Sequence, residues 1–143
     1  MITFNLLSDG EIVQHSFASL IFADVFGIQL RSGCFCAGPF GMQLLNLDDQ
    51  TAQIIEDEVS VGILRDKPGY MRLDLTFYLE PFEIDYIASA IIGLAEFSKK
   101  MELVYTICND GEIKRHKLFK NILSDNYSLD TFEIAMETVK KQD

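Results

Sequence analysis

Two thiols and a guanidinium share one short glycine-rich segment, Gly27 to Gly41, with the sequence GIQLRSGCFCAGPFG. Arg31 precedes a Ser-Gly pair, and Cys34 and Cys36 follow that pair with one aromatic residue between them. A nearby positive charge lowers the pKa of a thiol and so favours the reactive thiolate. Cys36 is therefore a candidate nucleophile. The alternative is a buried, inert cysteine, which is a common environment for this residue type.

The segments on either side predict how this loop is positioned. The apolar run Ile28 to Leu30 indicates a short buried strand that ends at Arg31, and the glycines and proline that follow disfavour regular structure. The apolar spacing from Ser16 to Phe26 predicts an amphipathic helix that leads into this strand, with Ser16 as its N-cap and a glycine after its last turn. His15, just before the helix, is interpreted as a surface residue, although a ligand or a base is the alternative.

The run from Arg31 to Pro39, RSGCFCAGP, resembles the cysteine-loop signature of the class V aminotransferase family of pyridoxal-phosphate (PLP) enzymes. That family includes cysteine desulfurases, selenocysteine lyases and isopenicillin N epimerase-like proteins. In its desulfurases, the cysteine at the position of Cys36 attacks the sulfur of the PLP-bound substrate and carries a persulfide. The resemblance implies that Cys36 is catalytic and that Arg31 is a substrate-binding residue. Arg31 would support the thiolate or orient the loop. Cys34 either packs or resolves the persulfide.

A second match lies downstream, where PGYMRL from Pro68 to Leu73 precedes Glu-Ile-Asp at residues 83–85. This resembles the arginine-bearing strand of the family and the start of its C-terminal helix. Arg72 falls on the arginine that binds the α-carboxylate of the substrate, a role suited to the two-pronged guanidinium. The predicted strand runs from Tyr70 to Phe77, so Asp74 is expected on the same face as Arg72, where it would repel an amino-acid carboxylate.

The resemblance covers roughly residues 1–100 and implies the C-terminal small domain of such an enzyme, with residues 101–143 as a hairpin and helix extension of the same domain. The implied cofactor is PLP in the full-length enzyme only, because the PLP lysine belongs to a large domain. No residue here is assigned to the cofactor or to a metal, and the chain alone is expected to be inactive. Lys117 follows a histidine, as the PLP lysine does, but it comes after the cysteine loop. It is interpreted as a hairpin charge.

The expected partners are the PLP-binding large domain, a small amino-acid substrate and, as in intact relatives, a second copy in a homodimer. Two other classes of function stay open. One is a non-catalytic protein-interaction module that kept the small-domain fold. The other is a metal site formed by Cys34, Cys36, Cys108 and a histidine, although one residue between two cysteines is shorter than the usual zinc spacing.

The composition narrows the classes of partner. The 143-residue chain is long enough for one domain and carries 22 acidic against 12 basic residues, a net charge of -10. Such a charge argues against nucleic acid and against anionic membrane surfaces. No apolar run reaches the ~18 residues that a membrane helix needs. The three cysteines, an odd number, and the lack of a signal-peptide pattern predict a cytoplasmic protein.

The predicted fold class is α/β, as an α+β two-layer sandwich. A small, mostly antiparallel sheet has helices packed on one face, and a hairpin and a helix follow at the C-terminus. Hydrophobic periodicity and cap residues place the remaining elements: a strand near residues 2–6, a helix from about Gln50 to Leu64 capped at Asp48-Asp49 with Ile54 facing inward, a strongly buried helix from Pro81 to about Lys100, hairpin strands at Leu103–Cys108 and Ile113–Leu118, and a final helix at Leu129–Lys140.

Overall fold

The computed structural model describes residues 1–34 and 38–116. Within these residues, four helices and seven short strands form a small α+β domain, which confirms the predicted fold class. The strands are β1 (Ile2–Phe4), β2 (Leu7–Ser8), β3 (Glu11–Ile12), β4 (Arg31–Gly33), β5 (Tyr70–Leu73), β6 (Tyr105–Ile107) and β7 (Ile113–Arg115). The helices are α1 (His15–Phe26), α2 (Gly38–Leu44), α3 (Asp49–Ser60) and α4 (Pro81–Met101).

The central sheet is antiparallel and has the strand order β1-β5-β4. Side chains on β5 alternate, with Met71 and Leu73 buried and Tyr70 and Arg72 only half-buried. Met71 packs with residues of α1 and α4, so both helices lie on that face of the sheet. The buried residues of this core are Leu6, Phe17, Ala18, Ile21, Phe22, Met71, Ala90, Leu94, Met101, Val104 and Tyr105.

Helix α1 begins one residue earlier than the sequence predicts. The Gln14 side chain, not Ser16, caps it by accepting a 2.7 Å hydrogen bond from the Phe17 N–H. Gly27 ends the helix in the left-handed region at φ 66°, as predicted. A glycine suits this position because a β-carbon is disfavoured there.

The predicted strand at Ile28 to Leu30 is wrong, because β4 begins only at Arg31. The preceding residues are held by α1 and not by a neighbouring strand. The Ile28 N–H donates to the Phe22 carbonyl at 3.0 Å, and the Ser19 hydroxyl donates to the Leu30 carbonyl at 3.2 Å. The short strand therefore lies on the polar RSG triplet, which moves Arg31 from the end of a strand to its start.

Helix α4 begins at Pro81 and ends one residue past Lys100, close to the predicted bounds. It is not buried throughout. Its buried residues begin only at Ala90, midway along the helix, whereas Ile84 in the first half is 44% exposed. Among the described elements, α4 packs mainly against α1 and β2. Most residues in the first half of α4 are left exposed.

Helix α3 has its predicted cap, since the Asp48 carboxylate accepts a 2.7 Å hydrogen bond from the Thr51 N–H. It ends at Ser60 instead of Leu64. No residue of α3 is buried, and Ile54, predicted to face inward, is 53% exposed. The apolar face of this helix is therefore only partly covered by the described part of the chain, with Ile55 and Val59 half-buried.

The predicted hairpin is confirmed as β6 and β7, joined by a turn in which Gly111 adopts φ 80°. The Asn109 carbonyl of this turn accepts hydrogen bonds from the N–H groups of Leu64 and Arg65 at 2.7 and 3.2 Å. Lys117 and the predicted final helix at 129–140 lie outside the described residues. None of the described helices is long and apolar enough to cross a membrane.

Candidate functional site

Three residues from three strands form one row across the central sheet. Arg72 on β5 is opposite Thr3 of β1 on one side and opposite Arg31 of β4 on the other. The next row on the same face pairs Tyr70 with Gly33, since residues two apart on a strand share a face. This face is opposite the buried Met71 and Leu73 and is called the arginine face below.

The two guanidinium groups make the arginine face positive in a chain whose net charge is -10. Like charges directly opposite each other on neighbouring strands are destabilising. Arg31 is exposed and forms no ion pair with any carboxylate of the described residues. On Arg72, Nη1 lies 3.5 Å from the sulfur of Met1. The exposed guanidinium of Arg31 is therefore the group on this face that is suited to bind an anion.

Asp74 is not where the sequence predicts it. The strand expected to run to Phe77 ends at Leu73, and Asp74 is exposed in the segment that follows. Strand alternation therefore does not fix its carboxylate beside Arg72. The expected repulsion of a substrate carboxylate by Asp74 loses its structural basis.

The cysteine loop starts at the Tyr70 end of the arginine face. Cys34 directly follows β4 and is an exposed free thiol. Cys36, the predicted nucleophile, lies outside the described residues, so its role stays a prediction. The thiol that is described lies next to Gly33, the strand partner of Tyr70.

Tyr70 links the arginine strand to the far side of the loop. Its hydroxyl donates a 2.6 Å hydrogen bond to the Gly41 carbonyl of α2. Burial raises the pKa of Tyr70, and the negative charge of a Cys34 thiolate raises it further. The residues before and after the loop are thus both tied to β5, the strand that carries Arg72.

His15 is not a surface residue, contrary to the sequence prediction, since it is only 8% exposed. Its Nε2 lies 3.2 Å from the Lys67 carbonyl, which can only accept, so Nε2 carries the hydrogen. Its Nδ1 then accepts from the Ser16 hydroxyl at 3.0 Å. Burial lowers the pKa of His15 and favours this neutral form.

Both ring nitrogens of His15 are thus occupied, which makes it a structural residue and not a free ligand or base. The ring packs on Gly69, where a β-carbon would lie 2.5 Å from it. A cavity of about 220 Å³ opens beside the two residues, between α1 and the segment before β5. This cavity does not include Arg31 or Arg72.

Cys108 lies in the hairpin turn, apart from the cysteine loop. Among the described residues, its thiol groups with the carboxylates of Asp110 and Glu112, with the ligand atoms within 4.8 Å of one another. The ammonium of Lys114 lies 3.4 Å from Glu112, so a cation already neighbours this group. The described residues do not bring Cys108 together with Cys34 and a histidine, the set considered from the sequence.

Sequence reasoning missed one buried polar cluster. Arg115 on β7 donates from Nε and Nη2 to the two Asp24 oxygens at 2.6 and 2.9 Å, and the buried Tyr105 hydroxyl donates to the same carboxylate at 2.8 Å. These hydrogen bonds raise the pKa of Arg115, and burial raises that of Tyr105. The basic residues of β7, Lys114 and Arg115, were the signal for this cluster in the sequence. The cluster connects the hairpin to α1 and is not part of the arginine face.

Comparison with known proteins adds no identification. No protein-family model matches the sequence. No similar curated protein and no similar solved structure was found.

Proposed function

We propose that this chain is the C-terminal small domain of a class V aminotransferase-like enzyme, whose active site is completed by a PLP-binding large domain. The pairing of Arg31 with Arg72 is the observation that supports this most strongly. Two residues singled out by separate sequence motifs, some forty positions apart, are direct neighbours on adjacent strands.

Each residue of the proposed site has a role that its chemistry supports. Arg72 binds the α-carboxylate of a small amino-acid substrate through paired N–H donors. Arg31 adds positive charge between this carboxylate and the cysteine loop, which favours a thiolate on the loop. Cys36 is the nucleophile toward the substrate sulfur, a role that rests on the sequence resemblance alone.

The arginine face is not proposed to hold PLP. PLP is bound through a lysine amine, and the strands that form this face, β1, β4 and β5, contain no lysine. The residues present are suited to carboxylates instead. The cofactor is therefore assigned to the large domain, and the chain is proposed to be inactive alone.

The same resemblance also supports a proposal for the oligomeric state and the cellular location. We infer a homodimer of the complete enzyme and a cytoplasmic location. The cytoplasmic location is supported by the odd number of cysteines, three, and by the free thiols of Cys34 and Cys108.

A second candidate function is a non-catalytic interaction module. Three aromatic residues around the start of α4 are strongly exposed: Phe77 at 87%, Tyr78 at 76% and Phe82 at 71%. Exposed aromatic residues are enriched at protein-binding faces. Both candidates predict a protein partner, but only the first predicts chemistry.

Reconstitution separates the two candidates. The chain is mixed with a PLP-loaded class V large domain encoded in the same genome, and alanine production from cysteine is measured together with complex formation. The enzyme proposal predicts a complex that makes alanine, a complex without activity for Cys36→Ser, and a raised KM for Arg72→Gln. A complex with the wild-type chain that makes no alanine would favour the interaction module. If no complex forms, the enzyme proposal is contradicted.

A further inference from the structure

We propose that the turn before α4 and the first turns of that helix, residues 77–86, bind an arginine-rich segment of a partner protein. These residues are called the aromatic segment below. The inference goes beyond the proposed enzyme function, because it concerns residues outside the arginine face. For the second candidate function, it names the chemistry of the partner that the exposed aromatic residues would bind.

The first argument is the position of two aromatic residues at the tip of a turn. The Leu79 N–H donates to the Thr76 carbonyl at 3.3 Å, so Phe77 and Tyr78 occupy the two central positions of the turn. Their ring centroids lie 3.9 Å apart, and both residues are strongly exposed. Small and polar residues are the usual choice at such positions. Two neighbouring exposed rings instead offer a π surface on which a cationic side chain can stack.

The second argument is the spacing of exposed side chains on the first turns of α4. Asp85 and Tyr86 follow Phe82 by three and four positions, so the three exposed residues are neighbours on one face of the helix. The Tyr86 hydroxyl donates to the Phe26 carbonyl at 2.8 Å, which holds that ring in place. A planar guanidinium can stack on an aromatic ring and pair with a carboxylate, whereas the ammonium of a lysine is a point charge. This face therefore favours arginine over lysine.

The third argument is the charge around the aromatic residues. Residues 74–98 contain five acidic residues and no lysine, arginine or histidine. None of the five forms an ion pair within the described part of the chain: Asp74, Glu80, Glu83, Asp85 and Glu96. Glu80 and Glu83 form the capping box of α4, which leaves their charges without a cation. A basic partner complements this charge, whereas an acidic protein surface would be repelled.

The test compares three blocked peptides that differ only in their polar residues, with the sequences RALRALR, KALKALK and QALQALQ. Each is titrated into the 143-residue chain at low ionic strength, and binding is followed by amide chemical shifts. We expect the arginine peptide to bind about tenfold more tightly than the glutamine peptide, because it forms several exposed ion pairs. It should bind roughly threefold more tightly than the lysine peptide. The largest shifts should lie in residues 77–86.

Variants at exposed positions assign the binding to the aromatic segment. Phe77→Ala and Phe82→Ala should each weaken the arginine peptide about two- to fivefold, since each removes one ring that a guanidinium stacks on. Asp85→Asn should weaken it and reduce its advantage over the lysine peptide. Two matched controls lie elsewhere: Phe40→Ala removes an exposed ring of α2, and Asp57→Asn removes an exposed carboxylate of α3. Both controls should leave the affinity nearly unchanged, and circular dichroism checks that each variant is folded.

Three outcomes would overturn the proposal. One is equal affinity of the arginine peptide and either of the other two peptides. Another is binding that Phe77→Ala and Phe82→Ala leave unchanged. The third is a dimer of the chain alone, detected by sedimentation equilibrium, that Phe82→Ala dissociates, because the aromatic segment would then bind a second copy. None of these results bears on the enzyme proposal, which is decided by alanine production in the reconstitution.

Discussion

Replacing Asp24 by Asn should loosen the hairpin from α1, because it removes the charge on which Arg115 and Tyr105 converge. The Asp24 side chain is 12% exposed and that of Arg115 33%. Removing one partner of a buried ion pair costs about 3–5 kcal/mol. Solvent screens the partly exposed guanidinium, so we expect a loss of about 2–3 kcal/mol in the free energy of unfolding.

A loss of this size should lower the melting temperature by roughly 6–10 °C for a domain of this length. Urea unfolding followed by far-UV circular dichroism measures it, since the chain has no tryptophan to serve as a fluorescent probe. Tyr105→Phe, which removes one hydrogen bond only, should cost about 1 kcal/mol. The matched control Asp57→Asn, on the exposed side of α3, should stay within about 0.5 kcal/mol of wild type. An Asp24→Asn chain as stable as this control would refute the reasoning.

Three further predictions concern the residues around the arginine face. Gly69→Ala would place a β-carbon 2.5 Å from the His15 ring and should lower the free energy of unfolding, measured in urea, by about 1–3 kcal/mol. The control Gly41→Ala, whose new β-carbon would have its nearest contact at 3.8 Å, should be near neutral. Equal effects of the two substitutions would contradict the packing of His15 on Gly69. Burial lowers the pKa of His15 below 6.5, so the unfolded chain binds the proton more tightly. Stability should therefore fall as the pH drops below about 6.5, and His15→Gln should flatten this dependence in thermal scans; an unchanged slope would count against it. Tyr70→Phe removes the 2.6 Å bond to α2 and should speed amide exchange there but not in α1; uniform exchange would argue against the tether.

Local chemistry made several features of the fold predictable. Three helix boundaries carry the residue types that favour them: Asp48, Gly27 and Pro81. The glycine of the hairpin turn has the positive φ that such a turn needs. Each of these features depends on residues within one or two turns of the chain.

Features that depend on distant residues were predicted less well. The burial of His15 depends on the missing side chain of Gly69, and the position of β4 depends on α1 holding Ile28. The exposure of the first half of α4 depends on how far its neighbours α1 and β2 cover it. Sequence periodicity contains none of this information, because it reports which residues are apolar and not what covers them.

The candidate site was predictable only in part. Arg31 and Arg72 were each identified from a motif, but their direct pairing is a property of the β4–β5 register. The bond from Tyr70 to Gly41, which ties α2 to the arginine strand, had no signal in the sequence. The thiol predicted to react, Cys36, needs an experiment of its own.

The central claim is that the cysteine loop and the arginine face form one anion-binding site. Alkylation rates with anionic iodoacetate and neutral iodoacetamide test it, with each cysteine quantified by peptide mass spectrometry. Cys108, flanked by Asp110 and Glu112, is the internal control. The quantity compared is the alkylation rate with iodoacetate divided by the rate with iodoacetamide. We expect this ratio to be several times higher at Cys36 than at Cys108. In Arg31→Gln and in Arg72→Gln, the ratio at Cys36 should fall to the value at Cys108. Equal ratios at the two cysteines, or a Cys36 that neither reagent reaches in the folded chain, would contradict it.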